Sequence, residues 1–271
     1  MTPEPDLDAN PVLYEVAGHV ATITLNRPHR RNAISVRMLE HLSRHLSAAD
    51  EDRNVRVVLL TGAGKGFCAG LDIKDAMAGT GIGSGGGGGG AARLPTRNLP
   101  TVILYELDTP VFGVINGAAA GYGLDLALGC DIRLIAESAR LLPGFAKRGV
   151  VPESGGTWYL PRLVGWAKAA EIGYLGRDLD AAECERLGLV NRVVPDGELG
   201  KVALEWAEEI AANAPLAVQS MKRLFRHSQT EDFQSHTHHV LLQTMLLFGS
   251  KDFAEGLQSF VEQRPPQFRG R

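Results

Sequence analysis

Ile115–Asp131, INGAAAGYGLDLALGCD, decides how the rest of the chain reads. An apolar run, PVFGVIN (Pro110–Asn116), leads into small residues and the glycines Gly117, Gly121 and Gly123. A helix-like stretch, LDLALGCD, follows at once. Short apolar runs bounded by turn residues read as buried strands. The first N–H groups of a helix have no partner within it, and small residues ahead of them let a ligand oxygen come close. The stretch therefore predicts a strand-to-helix turn able to hold a developing oxyanion.

The same design occurs earlier. Val55–Thr61 (VRVVLLT), a continuous apolar strand, runs into GAGKGFCAGLD, which ends in Phe67-Cys68-Ala69-Gly70-Leu71-Asp72. A single glycine-rich turn is weak evidence. Two of them after buried strands fit a pair of backbone donors converging on one carbonyl oxygen, each worth about 3–4 kcal/mol in the transition state. A carbonyl held in this way becomes acidic at its α-carbon, and the chemistry then needs a base. Asp125 stands in the first turn of the predicted helix, and Glu153 lies in VVPESGGTWYLP. Either acid also suits a helix start on dipole or capping grounds alone.

Working outward, Val12–Asn26 reads as a hairpin turning at Gly18-His19. Ala33–Ala49 has helical spacing with Ser35 as N-cap. Thr96–Leu107 reads as a helix, and Asp131–Ala136 and Leu189–Val194 as strands. Glu198–Glu262 is almost wholly helical in pattern. Strands alternating with helices to about residue 195, then a run of helices, predict an α/β core over 1–195 and a helical C-terminal region over 196–271. Gly79–Gly90 (GTGIGSGGGGGG) contains formal GxGxxG matches, but no strand precedes it; it reads as a flexible insert and not a dinucleotide loop. GAGKG has Phe67 after Lys65-Gly66, which excludes a phosphate loop.

Composition sets outer bounds. The 271 residues are 44% apolar and 22% charged, with a net charge of -3 that disfavours nucleic acid as the main partner. Three scattered cysteines suggest plain buried thiols, not a zinc site or a disulfide framework. The acidic, proline-containing start lacks the features of a signal or transit peptide, and no apolar run is long enough for a membrane span, so a cytoplasmic location is expected. Ser154 and Ser35 lack a GxSxG setting. His236 and His239, in SHTHHV, have a ligand-compatible i, i+3 spacing, but no matching acidic or cysteine cluster is read nearby; a solvated helix face is expected, with no metal.

The pieces ITLNRPHRRNAIS, VVLLTGAGKGFCAGLDI, VINGAAAGYGLDLALGCDIRLIAESA, FAKRGVVPESGGTWYLPRLVG and DFAEGLQSFVEQRPPQF cover nearly the whole chain. In that order they resemble the enoyl-CoA hydratase/isomerase (crotonase) superfamily. The resemblance implies a spiral of ββα repeats with C-terminal helices that build a homotrimer or a dimer of trimers. It implies an acyl-CoA thioester substrate, with coenzyme A as part of that substrate and no separate cofactor. The oxyanion donors would be the backbone N–H groups of Leu71 and Tyr122. Arg30, Arg31, Ala33, Ala69, Gly70, Asp72 and Ile73 would line the coenzyme A site, with Gly121 and Phe145 near the acyl group. Hydratases of the family use two glutamates. Here the first position is Asp125 and the second is Phe145, which cannot activate water. Glu153 stands where several isomerases of the family carry their acid. The resemblance therefore favours double-bond isomerisation, with hydration as an alternative and a non-catalytic acyl-CoA-binding scaffold as a third reading.

Overall fold

The hairpin predicted at the start of the chain is β1 (Val12–Ala17) and β2 (Val20–Leu25), antiparallel in the register Val12↔Leu25 to Ala17↔Val20, with Gly18 at φ +57 in the turn. Helix α1 (Val36–Glu51) begins where Ser35 Oγ accepts the Met38 N–H at 3.2 Å, and it buries Met38, Leu42, Leu46 and Ala49 on one face. The next elements are β3 (Val57–Gly62), β4 (Gly66–Cys68), α2 (Ile73–Met77), α3 (Pro100–Glu106), β5 (Val111–Ile115), β6 (Ala118–Ala120) and α4 (Tyr122–Leu128). There follow β7 (Ile132–Ala136), β8 (Arg140–Leu142), α5 (Gly156–Val164), α6 (Trp166–Leu175), β9 (Leu179–Asp180), α7 (Ala181–Arg186) and β10 (Arg192–Val194). Four helices complete the chain: α8 (Leu199–Ala211), α9 (Pro215–His227), α10 (Phe233–Phe248) and α11 (Lys251–Glu262). The structure is a computed structural model and describes residues 9–78, 82 and 99–271. The predicted Gly79–Gly90 insert, Ile82 aside, and the start of the predicted Thr96–Leu107 helix lie outside the described residues.

Two sheets organise the core. One has the order β1-β2-β3-β5-β7-β10 and is parallel from β2 onward; the other has the order β4-β6-β8-β9. Each long strand of the first sheet hands the chain to a short strand of the second: β3 to β4, β5 to β6, β7 to β8. A helical segment then returns it, which makes a spiral of ββα turns in place of the plain alternation the pattern suggested. The segment GAGKGFCAGLD, read from sequence as a loop, contains β4. Strands of two or three residues are too short to carry a period-two signal, so the second sheet was invisible to periodicity.

Ile23, Leu60, Phe67, Phe112, Ile115, Leu126 and Leu141 are fully buried in one continuous core. The C-terminal helices begin inside it, since α8 packs on β2, β3, β5 and β7 and buries Val202, Ala203 and Ala207. Helix α9 is fixed by charge: Lys222 Nζ reaches Asp131 at 2.7 Å, and Arg223 and Arg226 reach Asp108 at 2.7 and 3.0 Å. Helix α10 buries no residue, and Phe233, Leu246, Phe260 and Val261 of α10 and α11 stand exposed. Among the described residues no helix is long and apolar enough to cross a membrane.

Candidate active site

Both glycine turns end at one junction. Gly70 has φ +80, and a Cβ placed on it would lie 2.6 Å from the Ala120 carbonyl oxygen and 3.3 Å from the Tyr122 nitrogen. Only glycine allows this approach. Gly121, at φ +51 and ψ -123, turns the chain into α4, and the Leu124 and Asp125 N–H groups donate to its carbonyl at 2.9 and 3.2 Å. The N–H groups of Tyr122 and Gly123 fall ahead of the helix's own ladder. Leu71, 40% exposed, follows Gly70 directly in the chain.

Buried amides and one ion pair fix these loops. Asn32 Nδ2 donates to the carbonyls of Ala63 and Gly66 at 3.0 and 2.8 Å, and Asn32 Oδ1 accepts the Arg27 N–H at 2.9 Å. Asn116 Nδ2 donates to Gly62 and Gly64 at 2.8 and 3.0 Å. Arg31 and Asn32 hold positive φ values of 50 and 56, a strained pair for non-glycine residues that this network over-determines. Arg27, 1% exposed, donates to Asp72 Oδ2 at 3.1 Å, while Asp72 Oδ1 caps α2 by accepting from Lys74 N and Asp75 N. Arg27, Asn32 and Asn116 were not singled out from sequence. Their placement beside Pro28, at a positive-φ position and at a strand end is the signal that marks them.

Asp125 is fully buried on α4. Its Oδ2 accepts the Ser154 N–H at 2.9 Å, and its Oδ1 faces Gly156, where a Cβ would lie 2.1 Å away. Asp125 thus ties α4 to the turn that carries Glu153. Burial pushes its carboxyl up to about 7, opposed by the Ser154 N–H and reinforced by the charge of Glu153. The sequence placed the desolvated base at Glu153. The structure leaves Glu153 exposed, and burial falls on Asp125 instead.

Glu153 lines a cleft of about 390 Å³ with Leu99, Thr101, Val102, Ser154 and Trp158. Tyr122 lies beneath it, 6% exposed, its hydroxyl near Thr101 but without a hydrogen bond of good geometry. Burial, with Cys68, Asp125 and Glu153 nearby, pushes the phenol upward. Phe145, also 6% exposed, lines an adjoining cavity of about 380 Å³ with Val151, Pro152, Gly156 and Leu160. Gly156 thus borders both the Phe145 cavity and the Asp125 carboxyl.

Of the residues expected along the coenzyme A path, Arg31, Ala69 and Ile73 are exposed near the junction, and Ala69 N donates to Arg31 O at 3.0 Å. Gly70 and Ala33 are buried, and Ile34 N donates to Gly70 O at 2.8 Å. Arg30 is partly exposed and lies 3.1 Å from Asp75 and 3.7 Å from Asp72, so a phosphate would share it with two carboxylates. Asp72 is buried and acts as cap and ion-pair partner.

The Asp125 environment has a measurable cost. An aspartate in the unfolded chain titrates near 4. Between about 4 and about 7 the folded chain retains a proton that the unfolded chain has lost, so stability falls as pH rises through that window. Asp125→Asn removes this dependence. Its stability relative to wild type is expected to rise by about 2–3 kcal/mol between pH 5 and pH 8 in urea denaturation. An equal gap at both pH values would refute the raised carboxyl.

The family model for enoyl-CoA hydratase/isomerase matches residues 15–271. The 1,2-epoxyphenylacetyl-CoA isomerase of Escherichia coli (strain K12) is 35% identical over 260 residues, covering 96% of this chain and 98% of that protein. A probable enoyl-CoA hydratase of Rhodobacter capsulatus is 34% identical over 273 residues, covering 96% and 98%. The crystal structure of an enoyl-CoA hydratase from Bacillus anthracis superposes with a TM-score of 0.86 at 35% identity, covering 97% of this chain and 100% of that one. With the match running over nearly the whole chain and the fold reproduced throughout, this protein belongs to the enoyl-CoA hydratase/isomerase family, enzymes that act on acyl-CoA thioesters.

Proposed function

We propose that the chain isomerises the double bond of an enoyl-CoA. The observation that carries this reading is the Gly70–Tyr122 contact, with the Glu153 turn tied to the same helix through Asp125. In the proposed reaction the thioester oxygen accepts from the N–H groups of Leu71 and Tyr122. Glu153 takes a proton from C2 of a 3-enoyl thioester, and the electron pair spreads onto the held oxygen. Protonated Glu153 then delivers the proton to C4, giving the conjugated 2-enoyl thioester and regenerating the carboxylate. One pivoting acid is sufficient for this. Arg30, Arg31, Ala33, Ala69, Gly70, Asp72 and Ile73 line the approach of coenzyme A, which arrives as part of the substrate; Gly121 and Phe145 bound the acyl end.

Hydration fits less well. It needs a second acid in contact with water, yet Asp125 is sealed against Gly156 and Phe145 offers no proton. Assembly as a homotrimer or dimer of trimers accords with the exposed apolar faces of α10 and α11. A cytoplasmic location remains part of the same reading.

The test offers the protein a 2-enoyl-CoA and a 3-enoyl-CoA and follows the absorbance of the conjugated thioester. Gain from the 3-enoyl substrate is expected. Loss from the 2-enoyl substrate alone would establish hydration, and tight binding without change in either would leave a scaffold.

A further inference from the structure

The corner between α9 and α10 gathers three imidazoles around one carboxylate, a group the acyl-CoA reading leaves unused. His227 ends α9, Glu231 lies in the connection, and His236 and His239 share one face of α10. His236 Nδ1 lies 2.9 Å from Glu231 Oε2, and His239 Nδ1 lies 3.1 Å from Glu231 Oε1. His227 Nδ1 stands 3.6 Å from the same Oε1, and its ring centroid is 4.7 Å from that of His239. One donor atom each from His227, Glu231 and His239 fall within 4.8 Å of one another. The acid that the SHTHHV motif lacked comes from five residues upstream of His236, through the turn.

We propose that His227, Glu231 and His239, with His236 beside them, form a binding site for a divalent transition-metal cation of the zinc class. Tetrahedral coordination with bonds of about 2.0–2.1 Å places neighbouring donor atoms about 3.4 Å apart. The His239 and His227 nitrogens, 3.1 and 3.6 Å from Glu231 Oε1, lie on either side of that value. Imidazole nitrogens with one carboxylate oxygen suit zinc, copper or nickel and not magnesium or calcium, which prefer an all-oxygen shell. Each neutral imidazole gives up the Nδ1 proton and carries its proton on Nε2 when its Nδ1 binds the ion. The side chains are 22–48% exposed, which leaves the ion a path from solvent. Bound there, the ion would pin α10 to the end of α9, one residue from Arg226, whose guanidinium reaches the carbonyls of Tyr105 and Leu107 at the end of α3.

The test titrates zinc(II) into the full-length, EDTA-treated protein by calorimetry, and cobalt(II) with visible absorbance to report tetrahedral coordination. One equivalent is expected at micromolar affinity or tighter. His227→Ala and His239→Ala should each weaken it at least about tenfold. His238→Ala, an exposed neighbour on the same helix, should leave it unchanged. Enoyl-CoA turnover in these variants should match wild type, which separates loss of the metal site from loss of the fold or of the proposed reaction. Absence of one-to-one uptake, or uptake insensitive to His239→Ala, or equally lost in His238→Ala, overturns the site.

Discussion

Glu153→Gln is expected to lower kcat for conversion of a 3-enoyl-CoA to its conjugated isomer by about 10²–10⁴-fold, the range for loss of a positioned acid or base. The substituted amide keeps the size and shape of the carboxyl and removes only its capacity to take and return a proton. Because Glu153 lines the cleft without anchoring any described element, stability should hardly change. KM should stay within about twofold, since ground-state contacts are retained. Asp125 provides the internal comparison. It is buried against Gly156 and reaches the reaction through the Ser154 N–H, so its replacement should act on the placement of Glu153 and not on proton transfer itself. Full turnover in Glu153→Gln would remove this residue from the chemistry as the carrier of the proton from C2 to C4.

Gly123→Ala is the second variant of large effect. A Cβ there would lie 2.3 Å from the Cys68 carbonyl oxygen and 2.6 Å from the Cys68 Cβ, where ordinary contact begins at 3.4 Å. Both obstacles belong to a buried strand, so α4 must move away from β4 by about 1 Å, and such a displacement of a reacting constellation costs about 10²-fold in rate. Overpacking of this kind also costs about 1–3 kcal/mol of stability. Activity should therefore fall well beyond what a lower Tm explains when measured far below that Tm. Gly200→Ala serves as the comparison: it lies in the first turn of α8 with open space around it, and the added methyl should be neutral or slightly stabilising. If Gly123→Ala lowers Tm but leaves kcat intact, the two turns do not jointly hold the reacting oxygen.

Much of this arrangement was legible in the chain, and the reasons for the remainder are physical. The hairpin, α1 with its Ser35 cap, and the apolar strands β3, β5 and β7 follow from period and capping, because each buries a face long enough to show it. β4, β6 and β8 have three residues each, too few to show an alternation. Leu189–Val194 contracts to a strand over Arg192–Val194, the part that pairs with β7. A helix after Gly121-Tyr122-Gly123 was legible from local sequence alone, and it begins at Tyr122, two residues before the predicted LDLALGCD stretch. The side on which Asp125 ended was not legible, since its partner Ser154 lies twenty-nine residues away and the decisive contact is with a glycine that has no side chain to signal it. Glu231 escaped for a similar reason: only the turn of the chain brings it against His236 and His239.

Cys68, Cys130 and Cys184 are all inaccessible, and burial pushes each thiol up to about 12, so almost none is present as the reactive thiolate at neutral pH. Oxidants and alkylating reagents therefore find no target while the fold is closed. Because Cys68 sits where the two turns press together, any reagent that does modify it has recorded a moment when they parted, and the natural chain carries its own clock for the breathing of the reaction centre.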